Sequence, residues 1–321
     1  MLIVPENRIA ELMTPEDAFE AVESVFAAMA RDEAYNFPVI REAIGHADAL
    51  YGFKGGFDRA GAALGLKAGG YWPNNHERGI INHQSTIFLF DPDTGRVAAA
   101  VGGNYLTAAR TAASSAVSIK HLSRPDSKVL GMIGAGHQAA FQMRAALRQR
   151  DFEKVIGWNL HPEMLSRLAD IATEAGLPFE EVDLDRLGAE ADVIISITSS
   201  FAPILKAAQV SPGTHIDCMG TDTKGKQEVE PELLVRAAVF TDEVAQSVSI
   251  GEAQHAIASG LIEASAITPI GKVIAGAHPG RSSAEEITLF DGTGVALQDL
   301  AVASAVVERA RAAGVATEVE I

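Results

Sequence analysis

Cysteine is almost missing from this chain of 321 residues: Cys218 stands alone, so no intrachain disulfide can form and a reducing compartment fits. A lone cysteine at an apolar strand end reads as a small buried hydrophobe rather than a reactive thiol. Basic runs are missing too. The formal net charge is −16, and a nucleic-acid partner, which needs a cationic footprint, is disfavoured. No stretch approaches the ~20 apolar residues of a membrane span, so no membrane association is expected. The first residues, Met1-Leu2-Ile3-Val4-Pro5-Glu6, lack the basic region and apolar run of a signal peptide. A cytoplasmic location is the expectation. The nine histidines include no His-Glu-x-x-His or comparable ligand spacing, and no metal site is expected. Internal repeats and low-complexity linkers are also lacking.

What remains is ordinary for a globular protein, with 47% apolar and 21% charged residues. The length suits one large domain or two moderate ones. A helix is expected over residues 15–33, with Thr14 as N-cap, Pro15 in the first turn and a one-faced stripe of Ala18, Val22, Val25, Phe26 and Met29. Strand patterns follow at 49–53, 64–68, 83–90 and 97–101. The last two are joined by Asp91-Pro92-Asp93-Thr94-Gly95, a hairpin turn. Strands without helices between them imply an antiparallel or mixed sheet.

From Val129 the pattern becomes alternating strand and helix. Strands are expected at 129–133, 155–158, 179–182, 193–197, 214–217, 239–241 and 287–290, with helices at 137–149 and about 162–174. That alternation specifies a parallel sheet with helices on both faces. A last helix spans about 294–313.

The strand at 129–133 runs into Gly134-Ala135-Gly136-His137-Gln138-Ala139. In this context the first glycine permits a tight turn, the second admits a pyrophosphate, and the small Ala139 allows close helix–strand packing. The helix start, at His137, then stabilises phosphate charge. At the end of the second strand, Asn159 can bond a ribose hydroxyl and Leu160 offers no cation for a 2′-phosphate. NAD is therefore preferred, with NADPH left open by His161.

The segment Gly220-Thr221-Asp222-Thr223-Lys224-Gly225-Lys226 directly follows the strand at 214–217. Strand carboxyl ends line the ligand crevice of a doubly wound sheet, which puts the Asp222 carboxylate there. Thr-Asp-Thr-Lys-Gly is also good turn chemistry, the plainer reading of the same residues.

Several ordered motifs together resemble the ornithine cyclodeaminase/mu-crystallin family across nearly the whole chain. They are Gly65-Leu66-Lys67, Asn82-His83-Gln84-Ser85-Thr86, Leu106-Thr107-Ala108-Ala109-Arg110-Thr111-Ala112-Ala113, the glycine turn, Gly220-Thr221-Asp222 through Lys226-Gln227-Glu228, and Phe290-Asp291-Gly292-Thr293-Gly294. The resemblance implies a Rossmann doubly wound parallel sheet plus an α+β substrate/dimerisation domain completed by the C-terminal helix; the change of pattern sets the bounds at 119–293 for the first and at 1–118 with 294–321 for the second. It implies a homodimer. It also implies Asp222 as acid/base, Lys67 as a catalytic and carboxylate contact, and Arg41 and Arg110 as further substrate contacts. Arg110 and Thr111 then face substrate and cofactor phosphate, and Asn82, His83, Thr198, Met219 and Lys226 contact the nucleotide or nicotinamide. Cofactor contacts from Gly134, Ala135, Gly136, His137, Gln138 and Asn159 complete the set. Family members often carry serine where Gly292 stands, and the NADP-binding ones carry arginine where Leu160 stands.

The resulting expectation is an NAD(H)-dependent imine reductase that forms an amino acid. Within the family the chain looks closest to the iminosuccinate reductases, which make L-aspartate, and a dicarboxylate suits Arg41, Lys67 and Arg110. Ornithine cyclodeaminase, alanine dehydrogenase and cyclic ketimine reductase stay open, as does a non-catalytic, cofactor-dependent binding protein of the mu-crystallin type.

Overall fold

A computed structural model describes residues 1–320. In chain order the elements begin β1 (Leu2–Val4), α1 (Glu6–Leu12), α2 (Pro15–Ala30), β2 (Ala34–Asn36), β3 (Ile40–Ala43), β4 (Leu50–Asp58), β5 (Ala63–Tyr71), β6 (His83–Phe90), β7 (Val97–Gly102) and α3 (Asn104–Leu122). Next come β8 (Val129–Ile133), α4 (His137–Ala146), β9 (Lys154–Trp158), α5 (Ser166–Glu174), β10 (Phe179–Glu181), α6 (Leu184–Glu190), β11 (Val193–Ser196), β12 (Phe201–Leu205), β13 (His215–Cys218), β14 (Gln227–Val229) and α7 (Pro231–Arg236). The remainder is β15 (Ala237–Thr241), α8 (Val244–Ser247), α9 (Gln254–Ala258), β16 (Ile267–Pro269), α10 (Ile270–Ile274), β17 (Ile287–Asp291), α11 (Ala296–Ala312) and β18 (Thr317–Glu318). Two compact units result, Met1–Arg110 with Val295–Ile321, and Thr111–Gly294. The division falls inside α3, earlier than the boundary at 118 read from the change of pattern.

The first unit holds a mixed sheet in the order β18-β1-β7-β6-β5-β4-β2, with β3 also on β4. Among the described residues of this sheet, only β1 and β7 pair in parallel. The hairpin between β6 and β7 forms as its turn sequence dictates: the Asp91 carboxylate accepts from Asp93 N and Thr94 N, and Gly95 takes φ +72°. Helix α2 starts on a Thr14–Asp17 capping box. It ends at Ala30 rather than 33, because Asp32 turns left-handed and Glu33 N–H returns to Ala28 O.

Strand parity decides what α11 meets. Residues 63, 65, 67 and 69 of β5 share one face, and all but Lys67 are alanine or glycine. Helix α11 lies over that face. A Cβ on Gly65 would sit 2.4 Å from Phe88 O and 2.7 Å from Leu300 Cδ2. Gly65→Ala is therefore expected to lower stability by about 1–3 kcal/mol through overpacking, read as a fall in thermal midpoint against wild type.

The second unit contains the expected parallel sheet, in the order β10-β9-β8-β11-β13-β17-β15-β16, plus a two-stranded sheet of β12 and β14. The strand order reverses between β8 and β11, the topological switch point of a doubly wound sheet. Its core is aliphatic, with Ile133, Ile156, Ile194, Ile216, Val229 and Leu289 buried at the centre. Cys218 is buried there as well, and burial pushes its thiol up. Helix α4 ends at Ala146, short of 149, and a 3-10 turn at Pro162–Leu165 precedes α5.

Candidate active site

In the first unit, strand register lines up cations. Lys54 pairs directly with Lys67 across β4 and β5, and Arg41 of β3 pairs with Gly52, two residues from Lys54 on the same face. His83 pairs with Tyr71 of β5, again on that face. Helix α11 brings one carboxylate to them. Asp299 Oδ2 lies 2.8 Å from Lys67 Nζ, and its Oδ1 accepts from Arg110 Nε at 2.9 Å. Gln298 Oε1 accepts from Arg110 Nη1 at 2.9 Å, and Lys67 Nζ also reaches Thr107 Oγ1 at 3.4 Å.

This cluster is nearly dry. The Asp299 side chain is fully buried and those of Lys67 and Arg110 are 8% and 7% exposed. Burial pushes the Lys67 ammonium down to about 7, with Asp299 opposing the fall and Arg110 and Lys54 adding to it. Burial alone would raise the Asp299 carboxyl, but Arg110 and Lys67 outweigh it and hold it below the usual carboxylate range. Burial, then the charges of Lys67 and Arg110, bring His83 down to about 3, so its imidazole is neutral. Asn82, by contrast, is engaged in its own loop: its amide donates to Tyr71 Oη and Pro73 O and its oxygen accepts from His76 N.

In the second unit the expected nucleotide residues gather at the carboxyl edge of the parallel sheet. Gly134 leaves β8 with φ +102°, where a Cβ would strike Ile197 O at 2.6 Å. Gly136 opens α4, and its missing Cβ would meet nothing within 4 Å. Asn159 Oδ1 accepts from Ala135 N at 3.1 Å, so Asn159 braces the turn, while its amide donates to His161 O. Beside the turn, the Gln138 side-chain oxygen is buried without a hydrogen-bond partner. An open glycine cradle on a helix N-terminus, with an orphaned polar atom next to it, fits a dinucleotide pyrophosphate. Leu160 is 75% exposed just past β9. Thr198 follows β11, and Met219 follows β13. Thr111 lies buried on α3. A side chain at Gly292 would come within 2.4 Å of Met219 Sδ, so Met219 occupies the space a serine there would need.

Asp222 follows β13 on a loop that buried carboxylates hold. Its side chain is 33% exposed and its Oδ1 lies 2.9 Å from Lys226 Nζ and accepts from Thr223 Oγ1. Lys226 also donates to Gly220 O at 3.1 Å, tying the loop across its base. Beneath it, Glu228 accepts from Ser196 Oγ, Thr198 N and Gly220 N, each at 2.7 Å. Glu252 accepts from Thr221 Oγ1, Glu228 N and Val229 N. Gln254 bonds Gly225 N, Thr223 O and Lys226 O. Burial, reinforced by the nearby Glu228, pushes Glu252 up to about 8.

One constellation invites misreading. Ser118 Oγ lies 3.0 Å from His215 Nε2 and donates to Asp217 Oδ1. All three side chains are sealed from solvent, so the trio is interior packing between α3 and β13 rather than a nucleophile site.

The sequence model of the ornithine cyclodeaminase/mu-crystallin family matches residues 6–314. The chain belongs to that family. It is 72% identical to the iminosuccinate reductase of Paracoccus denitrificans over 321 residues, the full length of both. The crystal structure of that reductase in complex with NAD+ superposes with a TM-score of 0.96, covering 100% of this chain and 99% of the other. An archaeal alanine dehydrogenase dimer with bound NAD superposes with a TM-score of 0.95 at 31% identity, covering 100% of this chain and 99% of the other.

Sequence pattern alone places Asp299 and Gln298 only in a terminal helix, although a Gln-Asp pair in an otherwise apolar first turn is a usable signal. Glu252 and Gln254 carry no local signal, because their partners lie 23–31 residues away.

Proposed function

We propose that the chain is an NAD(H)-dependent imine reductase that converts iminosuccinate to L-aspartate. The 72% identity over full length to the Paracoccus denitrificans reductase carries the reading. Four cations, Arg41, Lys54, Lys67 and Arg110, grouped with one carboxylate, Asp299, support a dianionic substrate.

The roles follow from residue chemistry. Arg41 and Arg110 can each hold a carboxylate through a guanidinium fork, and Lys67 supplies a point charge. Asp222 holds the proton on the imine nitrogen, which makes the carbon electrophilic, and handles the amine proton afterwards. Neutral His83 presents a ring without adding positive charge. NADH, when bound, would supply the hydride. The hydride pair would form the new C–H bond and the C=N π pair would become the nitrogen lone pair, so with the proton held on nitrogen one hydride and one proton convert imine to amine.

The test is NADH oxidation with ammonium plus oxaloacetate, pyruvate or a cyclic imine. Turnover of oxaloacetate plus ammonium is expected; turnover of a cyclic imine alone would sink the aspartate assignment. NADH is the preferred reductant, since exposed Leu160 offers no charge to a 2′-phosphate. Leu160→Arg is expected to raise kcat/KM for NADPH about tenfold relative to NADH; an unchanged ratio would remove Leu160 from cofactor choice.

The sheet face opposite α11 supports a homodimer. Tyr35, Phe37, Ile40 and Phe53 are exposed on or beside it, and Leu64, Leu66, Phe88 and Phe90 are half-exposed there. An apolar patch of that kind marks an interface, and light scattering at micromolar concentration checks it. A cytoplasmic setting suits the buried thiol of Cys218. Among the described residues, no helix is long and apolar enough to cross a membrane.

A further inference from the structure

We infer that Asp299, with Gln298 beside it, is a positioning residue that sets the Lys67 ammonium and the Arg110 guanidinium in the arrangement that receives a substrate carboxylate. The inference rests on the proposed imine reductase reading, in which both cations are substrate contacts. Asp299 divides its oxygens, Oδ2 to Lys67 and Oδ1 to Arg110. Two cations on separate oxygens of one carboxylate are kept at a fixed spacing although they repel. Of the five N–H donors of the guanidinium, Asp299 takes Nε and Gln298 one on Nη1; neither takes the other three. The guanidinium is thus held from two sides, at Nε by Asp299 and at Nη1 by Gln298, and the donors these two leave supply the fork that meets a ligand.

Stability alone is a poor reason for this arrangement. A buried ion pair is often no better than well-packed apolar residues, and a fully buried aspartate in the first turn of α11 is costly to desolvate. The groups facing Lys67 are Lys54 on β4, Arg41 on β3, His83 on β6, Arg110 and Thr107 on α3, and Asp299 on α11. Asp299 is the anion among them and the charge that opposes the fall in Lys67. Removing it leaves the ammonium among like charges, where it gives up its proton more readily.

The test is Asp299→Asn in the purified enzyme, followed as L-aspartate-dependent NAD+ reduction from pH 6 to 9. NADH binding and circular dichroism establish that the variant is folded. KM for L-aspartate is expected to rise about tenfold with kcat within about threefold, an anchoring loss. The alkaline limb of kcat/KM is expected to move down by about one pH unit or more. An unmoved limb with unchanged KM would overturn the inference, as would a fall in kcat alone. If the variant does not fold, Gln298→Met is read instead, since it leaves every charge in place. A raised KM with the limb unmoved then supports the positioning role, and an unchanged KM overturns it. Should wild type oxidise another amino acid but not L-aspartate, the substrate reading fails, and the same comparison is made with that amino acid.

Discussion

Replacing Asp222 by asparagine is expected to lower imine turnover by about 10²–10⁴-fold while NADH binding stays within a few-fold of wild type. Asparagine keeps the shape of the side chain and its place in the turn, but it cannot carry a proton to or from nitrogen. The loop itself should survive. Its hold comes from Glu228, Glu252 and Gln254 bonding Gly220, Thr221, Thr223 and Gly225, and none of those bonds uses the Asp222 side chain. The lost pair with Lys226 is partly exposed, at 33% for Asp222 and 18% for Lys226, and such pairs contribute about 0–1 kcal/mol. Stability should thus hardly change while chemistry slows, and deuterated NADH should show a larger isotope effect once the reduction step limits turnover. Turnover within a few-fold of wild type would remove Asp222 from the chemistry and favour a cofactor-dependent binding protein.

Asp222 and Asp299 differ in how far the sequence reveals them. Asp222 follows an apolar strand in a run of alternating strands and helices, so its place at the sheet edge comes from local pattern. The same local logic finds the glycine turn, the capping box at Thr14 and the hairpin at Asp91. Lys67 shows itself as the long charged side chain on a small-residue strand face. Asp299 does not, because its partner Arg110 lies 189 residues away and the site closes only when α11 returns to the first sheet. Helix α3 was hidden for another reason. Its alanines, serines and threonines are buried around most of its circumference, and a helix buried on all sides shows no amphipathic stripe. Strands of three residues such as β2 and β14 are too short for alternation to register.

Lys67→Met should separate function from stability. Losing a charged contact to the substrate costs about 1.5–3 kcal/mol, or roughly 10- to 150-fold in kcat/KM. Most of that loss should fall on KM for the amino acid. Asp299 keeps Arg110 at 2.9 Å, so the substitution leaves no isolated buried charge, and methionine fills the stem's volume. The thermal midpoint should hold or rise at neutral pH. The pH dependence has a definite sign. In the unfolded chain the Lys67 amine keeps its proton up to 10.5, whereas the folded protein releases it near 7. Between those values the unfolded state binds the extra proton, so wild-type stability relative to Lys67→Met rises with pH across that window. Activity runs the other way. Above about 7 the free enzyme loses the ammonium that anchors the substrate, so kcat/KM of wild type declines on the alkaline side. The methionine variant has no such group to titrate, and its profile should be flat there. A wild-type alkaline limb that persisted unchanged in Lys67→Met would assign the titration to another group and withdraw Lys67 as the carboxylate anchor.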